Sequence, residues 1–200
     1  MTSSEIFGGI IGITRPEKYI AQGAHISADR RYRYKLWREW RGTHDPKHWR
    51  WLGAKDGTGA ELGGPLSVLF VMLNPSNADG ETDDATIRKC VGFAKLWRYE
   101  RMEVVNLFAY RATSPHDLFA AKAAGADIIG WQNQECIEEM VPGAGLIVCA
   151  WGGNAEGFEF HTEEVRGWLG EKQFQLGLTR SGHPRHPLYV PYIQQLLPMP

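Results

Sequence analysis

The sequence lacks a charge excess, a cysteine framework and any long apolar run. Its 22 Lys and Arg against 23 Asp and Glu leave a net charge of −1, so the chain is not a globally basic nucleic-acid coat. Any affinity for nucleic acid must come from a local patch. Three cysteines, Cys90, Cys136 and Cys149, are scattered and odd in number. None has metal-ligand spacing, and an iron–sulfur site needs about four ligands. Buried free thiols in a reducing cytoplasm are the expectation. No stretch approaches the ~20 apolar residues of a membrane span. The opening MTSSEIFGGIIGITRPEK has no basic region before its short apolar run, so no signal peptide is expected. The patterns G-x-x-x-x-G-K-[ST], G-x-G-x-x-G and G-x-S-x-G are absent, which argues against triphosphate, dinucleotide and α/β-hydrolase chemistry.

What is present fits one domain. Two hundred residues, 43% hydrophobic and 22% charged, suffice for one buried core and are too few for two comfortable ones. Residues 1–30 read as a peripheral arm without clear periodicity. Residues 31–65 read as a strand and loop extension, because RYRYKLWREW alternates basic with aromatic or apolar residues through Leu36 and THDPKHWRWLGAKDGTGAELGG is turn-rich. Residues 66–200 read as an α/β core. LSVLFVML, MEVVNLF, GLIVCAW and FQLGLT are buried strands, each followed by a polar loop. Helices are expected over Thr86–Tyr99, through DLFAAKAA, over Asp127–Met140, up to about Leu169, and in a short closing YIQQLL. SPHD, with Ser114, Pro115 and Asp117, has the form of a helix start.

Strands alternating with helices imply a mostly parallel sheet covered on both faces. Every loop after a strand then lies at one sheet edge, where open α/β sheets bind ligands. NPSNAD, NLFAYRAT, WGGNAE and GHPRHPLY should therefore converge.

Several residues on those loops can do chemistry. Asn74, fixed by Pro75, can orient a water or donate to a substrate oxygen, or it can close an Asx-turn. Asn106 ends a strand and can read a base edge or tie two loops together. His183 and His186, in a loop stiffened by prolines, can donate to a developing anion, lie on the surface, or join a zinc site. Asp79, Glu81, Asp83 and Asp84 can bind Mg²⁺, supply a base, or cap a helix. Arg111 and Arg185 can contact phosphate. Residues 30–50 carry eight Lys and Arg interleaved with Tyr32, Tyr34, Trp37, Trp40 and Trp49, which suits a nucleic-acid backbone or an edge strand with its charges outward.

LFVMLNPSNAD with its DD, VVNLFAYRAT, the AWG turn and GHPRHPLY resemble an uncharacterised bacterial and phage family, a domain of unknown function. The same blocks, in the same order, resemble the uracil-DNA glycosylase superfamily. That resemblance implies a three-layer sandwich with a central four-stranded parallel sheet, here with an N-terminal β extension. It implies a cytoplasmic DNA glycosylase that flips a base and leaves an abasic site, with no cofactor, no metal, DNA as partner, no membrane and no obligate protein partner. Asn74 would position the water and His183 would donate to the departing base, with His186 the alternative because GHPRHPLY has one residue more between its prolines. Asn106, Ser76 and Phe108 would bind the base. Arg111, Arg185, His186, Leu188 and Arg33 would contact DNA, Leu188 as the wedge. Ser76 stands where uracil-specific members carry a bulky aromatic, which implies room for a C5-substituted pyrimidine such as phage DNA carries, and so a defence role. A hydrolase or base-transferase acting on free nucleosides or nucleotides, and a non-catalytic module that binds modified DNA, remain the rival readings.

Overall fold

Backbone pairing, more than hydropathy, sets the width of the sheet. The computed structural model describes residues 19–40, 67–76 and 78–200. Its strands are β1 (Ala21–Ile26), β2 (Arg33–Glu39), β3 (Ser67–Met72), β4 (Arg101–Asn106), β5 (Ala144–Cys149), β6 (Gln173–Gln175) and β7 (Leu197–Pro198). They form one mixed seven-stranded sheet in the order β1-β2-β4-β3-β5-β6-β7. The β4-β3, β3-β5 and β5-β6 pairs are parallel. β2 joins β4, and β7 joins β6, antiparallel.

β3 is buried at every position, and its alternate side chains leave opposite faces. Val68, Phe70 and Met72 enter one core cluster with Ile87, Phe93 and Ala94 of helix α1 (Ala85–Leu96). Leu69 and Val71 enter a second cluster. There they meet Leu118 of α2 (Pro115–Ala123), Ile137 of α3 (Asn133–Met140), and Val165 and Leu169 of α4 (Glu159–Leu169). Both faces of the sheet are thus covered by helix. Asp84 caps α1 by accepting from the Ile87 N–H at 2.8 Å. Ser114 caps α2 by accepting from the Asp117 N–H at 3.2 Å, with Pro115 in the first turn.

Five expectations need correction. The sheet is mixed and wider than the four parallel strands expected: β4, β3, β5 and β6 run parallel, and antiparallel strands extend both of its edges. The arm contains β1, a pairing made by backbone groups with half-exposed side chains that leave no hydropathy signature. The segment 127–132 is turn, and α3 starts only at Asn133. YIQQLL forms no helix. It is short and has no capping side chain, and Leu197–Pro198 pairs with β6 instead. FQLGLT also stops early as a strand, at Gln175, because Gly177 turns the chain at φ +99 and Leu178 then bridges to Pro184. The loop expectation for residues 43–64 lies outside the described residues.

One buried ion pair fixes the loop after β3. Arg38, with no exposed side-chain surface, donates from Nε to Asp83 Oδ1 at 2.7 Å. Its other nitrogens donate to the carbonyls of Gly23, Trp37, Asp79 and Thr82. Tyr19 Oη donates to Asp83 Oδ2 at 2.6 Å. A charge taken out of water needs such saturation of its hydrogen-bonding groups.

Candidate functional site

The loops after β3, β4, β5 and β6 meet around a cavity of about 670 Å³, within the range that holds small ligands. Asn74, Ser76 and the start of α1 form one wall; Thr113 comes from the loop after β4, Trp151 to Asn154 from the loop after β5, and Arg185, His186, Leu188 and Tyr189 from the loop after β6.

Asn74 is held by its amide nitrogen, which donates to the carbonyls of Ala112 at 2.9 Å and Pro75 at 3.1 Å. Both partners are acceptors, so the orientation of the amide is chemically determined. Its Oδ1 has no partner among the described residues and is a fixed acceptor on the cavity wall.

His186 is its complement. Its Nδ1 accepts from the Leu188 backbone N–H at 3.3 Å, so the neutral ring carries its proton on Nε2, a donor. Burial pushes this imidazole below its usual value, partly opposed by the charge of Asp84. The cavity therefore holds a neutral histidine donor. Ser76 donates its hydroxyl to Asp84 Oδ2, which leaves a small side chain on the wall.

Arg33 also lines the cavity and is only 2% exposed. Its Nη1 donates to the Ala78 carbonyl at 2.9 Å and its Nη2 to Asn106 Oδ1 at 3.4 Å. Burial lowers its pKa to about 10, which still leaves it charged at neutral pH. Arg185 and Leu188 are exposed residues of the wall.

Other expected residues are not brought into the cavity. Asn106 sits behind Arg33 and does not line it. Phe108 is core, stacked on His161 at 5.1 Å and edge-on to Phe158 at 4.8 Å. His183 is buried beside Glu159, its Nε2 3.9 Å from the carboxylate. Arg111 donates from Nη1 to the Arg30 carbonyl at 3.3 Å. Of the two histidines in GHPRHPLY, His186 lines the cavity and His183 does not.

Two further readings change. The basic-aromatic strip of β2 is not a surface, because Arg33, Tyr34, Leu36 and Arg38 are buried and Lys35 pairs with Glu139 at 2.7 Å. The part of the strip beyond Trp40 lies outside the described residues. Three of the four acidic residues are spent internally: Asp79 accepts from the N–H groups of Glu81 and Thr82, Asp83 holds Arg38, and Asp84 caps α1, while Glu81 is exposed. Among the described residues no three His, Cys, Asp or Glu gather as a metal site. No described helix is long and apolar enough to cross a membrane. Trp151 was not singled out from the sequence, although it lies in the AWG turn; it is 3% exposed and lines the cavity.

The family model described as "Protein of unknown function (DUF1643)" matches residues 33–188, and the chain belongs to that family. Neither a curated protein nor a solved structure matches the chain.

Proposed function

We propose that this DUF1643 member is a DNA glycosylase that hydrolyses the N-glycosidic bond of a flipped-out, modified pyrimidine. One observation carries the reading: a fixed acceptor, Asn74 Oδ1, and a neutral donor, His186 Nε2–H, belong to residues lining the same cavity.

Cleavage of that bond develops positive charge on the sugar and negative charge on the base. Asn74 holds a water by accepting one of its hydrogens, which directs an oxygen lone pair toward the anomeric carbon. His186 donates to the departing base as charge builds there, a kind of stabilisation worth about 3 kcal/mol. The water's oxygen bonds to the sugar, and its proton balances the base anion. Ser76 leaves space beside the base for a C5 substituent. Leu188 and Tyr189, 37% and 80% exposed beside Arg185, suit a stacked polymer: an apolar wedge for the emptied stack and a cation for phosphate.

The test is a panel of duplexes carrying uracil or C5-substituted pyrimidines, incubated with the protein and then cleaved with alkali at abasic sites. Wild type is expected to cut at least one modified duplex. Asn74→Ala and His186→Ala are each expected to slow it roughly 100-fold or more, while His183→Ala remains within a few-fold. Inactivity of the wild type on every duplex, or full activity in both variants, removes the reading. Burial of the β2 arginines favours one second reading, the same bond cleaved in a free nucleotide. Turnover of mononucleotides together with inertness toward every duplex is its signature.

A further inference from the structure

Residues that line the cavity carry buried hydrogen-bond donors that the other described residues leave unsatisfied. Arg33 Nε and Trp151 Nε1 are buried atoms with no hydrogen-bond partner among the described residues, and both residues line the cavity. Directly behind Arg33, Asn106 Nδ2 is a third such atom, while its Oδ1 accepts from Arg33. All three are N–H donors. An unpaired buried donor costs about 1–3 kcal/mol, so one cavity that gathers several is suited to an acceptor from outside.

The charge balance agrees. Arg33 is a buried cation for which no carboxylate among the described residues forms a direct ion pair. Asp84 acts on it only through space, since its oxygens are committed to Ile87 and Ser76. Buried charges are normally paired. Asn106 reinforces the point. An asparagine with both amide atoms free can read one donor and one acceptor on a base; here only the donor remains.

We propose that the deep end of the cavity binds an oxyanion of the substrate, a phosphate or a carboxylate, held by Arg33 and the Trp151 indole N–H. Taken with the nucleotide reading above, on which its biological meaning rests, the oxyanion is either the phosphate of the target nucleotide or an acidic group on its base. The binding chemistry is the same, and it does not require turnover.

The test is calorimetric titration of the full chain with inorganic phosphate, a pyrimidine nucleoside 5′-monophosphate, a 5-carboxypyrimidine nucleoside, and the parent nucleoside. Wild type is expected to bind at least one oxyanion roughly tenfold or more tightly than the parent nucleoside. Preference for the monophosphate assigns the sugar phosphate, and preference for the carboxyl nucleoside assigns the base. Trp151→Phe keeps a ring in place and removes one donor, so it should weaken the oxyanion about tenfold with little change in melting temperature. Arg33→Lys should weaken it further wherever the variant still folds. No oxyanion preference in wild type, or affinity unchanged in Trp151→Phe, overturns the proposal. Oxyanion binding with no abasic product on any duplex removes the glycosylase reading and leaves this one standing. Cleavage without oxyanion preference does the reverse.

Discussion

Gly152 lies against His186: a Cβ at Gly152 would stand 3.3 Å from His186 Cβ. Gly152 has φ 80 and ψ 174, a region that essentially only glycine adopts. Its N–H also donates to the Pro184 carbonyl at 2.8 Å, so the loops after β5 and β6 are joined at this point. Gly152→Ala is expected to lose about 1–3 kcal/mol of stability and to shift the His186 ring. Urea unfolding measures the first effect. Single-turnover cleavage, at a temperature where the variant is folded, measures the second. Unchanged turnover would show that the position of His186 is unimportant.

His186 should leave a signature in pH dependence. Its imidazole is depressed below 6.5 by burial. Above that value the ring is neutral in both folded and unfolded chains. Below it the unfolded chain takes up the proton first, so stability falls with acid and levels off once the folded ring is protonated. His186→Asn should flatten that part of the curve in urea melts between about pH 5 and 7.5. Turnover that uses the neutral donor should persist below pH 6.5 in the wild type and fail only in stronger acid. A curve that His186→Asn leaves unchanged would contradict the assignment.

The order of the parallel elements was legible in the sequence, and the edges of the sheet were not. LSVLFVML announced β3 because a strand buried on both faces must be apolar throughout. AQGAHI announced nothing, since β1 is held by backbone bonds and its side chains are half exposed. Two prolines, at 191 and 198, bracket the segment read as a closing helix, and its only regular structure is the pairing of Leu197–Pro198 with β6. The convergence of four loops followed from topology alone. The individual side chains did not: whether Asn106 or Arg33 faces the cavity depends on packing between β2 and β4, which lie far apart in the chain. For the same reason the arginines of RYRYKLWREW looked like surface residues, although two of them are buried.

The Arg38–Asp83 pair supplies a stability test. Asp83→Asn leaves a buried guanidinium without its counter-charge and is expected to cost about 3–5 kcal/mol. Arg38→Met removes the guanidinium that meets Asp83 Oδ1 and the backbone carbonyls, and should also destabilise the chain. The double variant should lose clearly less than the sum of the two. Denaturant midpoints across the four proteins give the coupling, and strict additivity would show that the pair is not a unit.

Thiol reactivity should be low in the folded chain. Burial raises the thiol of Cys90 far above its usual value and that of Cys149 to about 12, and burial raises Cys136 as well. A thiolate-selective reagent should label almost nothing at neutral pH until denaturant is added, and then three equivalents, one per cysteine. Prompt labelling of Cys90 or Cys149 in the native protein would contradict the packing.

Ser76 offers a test of specificity. Ser76→Tyr puts a ring where the hydroxyl now meets Asp84. Under the glycosylase reading this variant should lose its C5-substituted substrates by at least tenfold relative to any unsubstituted pyrimidine. Competition between the two duplexes in one reaction measures the ratio, and an unchanged ratio would place the C5 side of the base elsewhere.

The bracing of residues 78–83 by Arg33 and Arg38 has a consequence for assembly. β2 pairs only with β1 and β4, so it gains its place in the sheet only when β4, made later in synthesis, is available. The wall holding Ser76 and Asp84 therefore acquires its final shape only once β4, the partner of both β2 and β3, is in place. A lesion in β4 should therefore reach this wall as well as the core that Met102, Val104 and Val105 help to fill, so the cavity and the interior should loosen together.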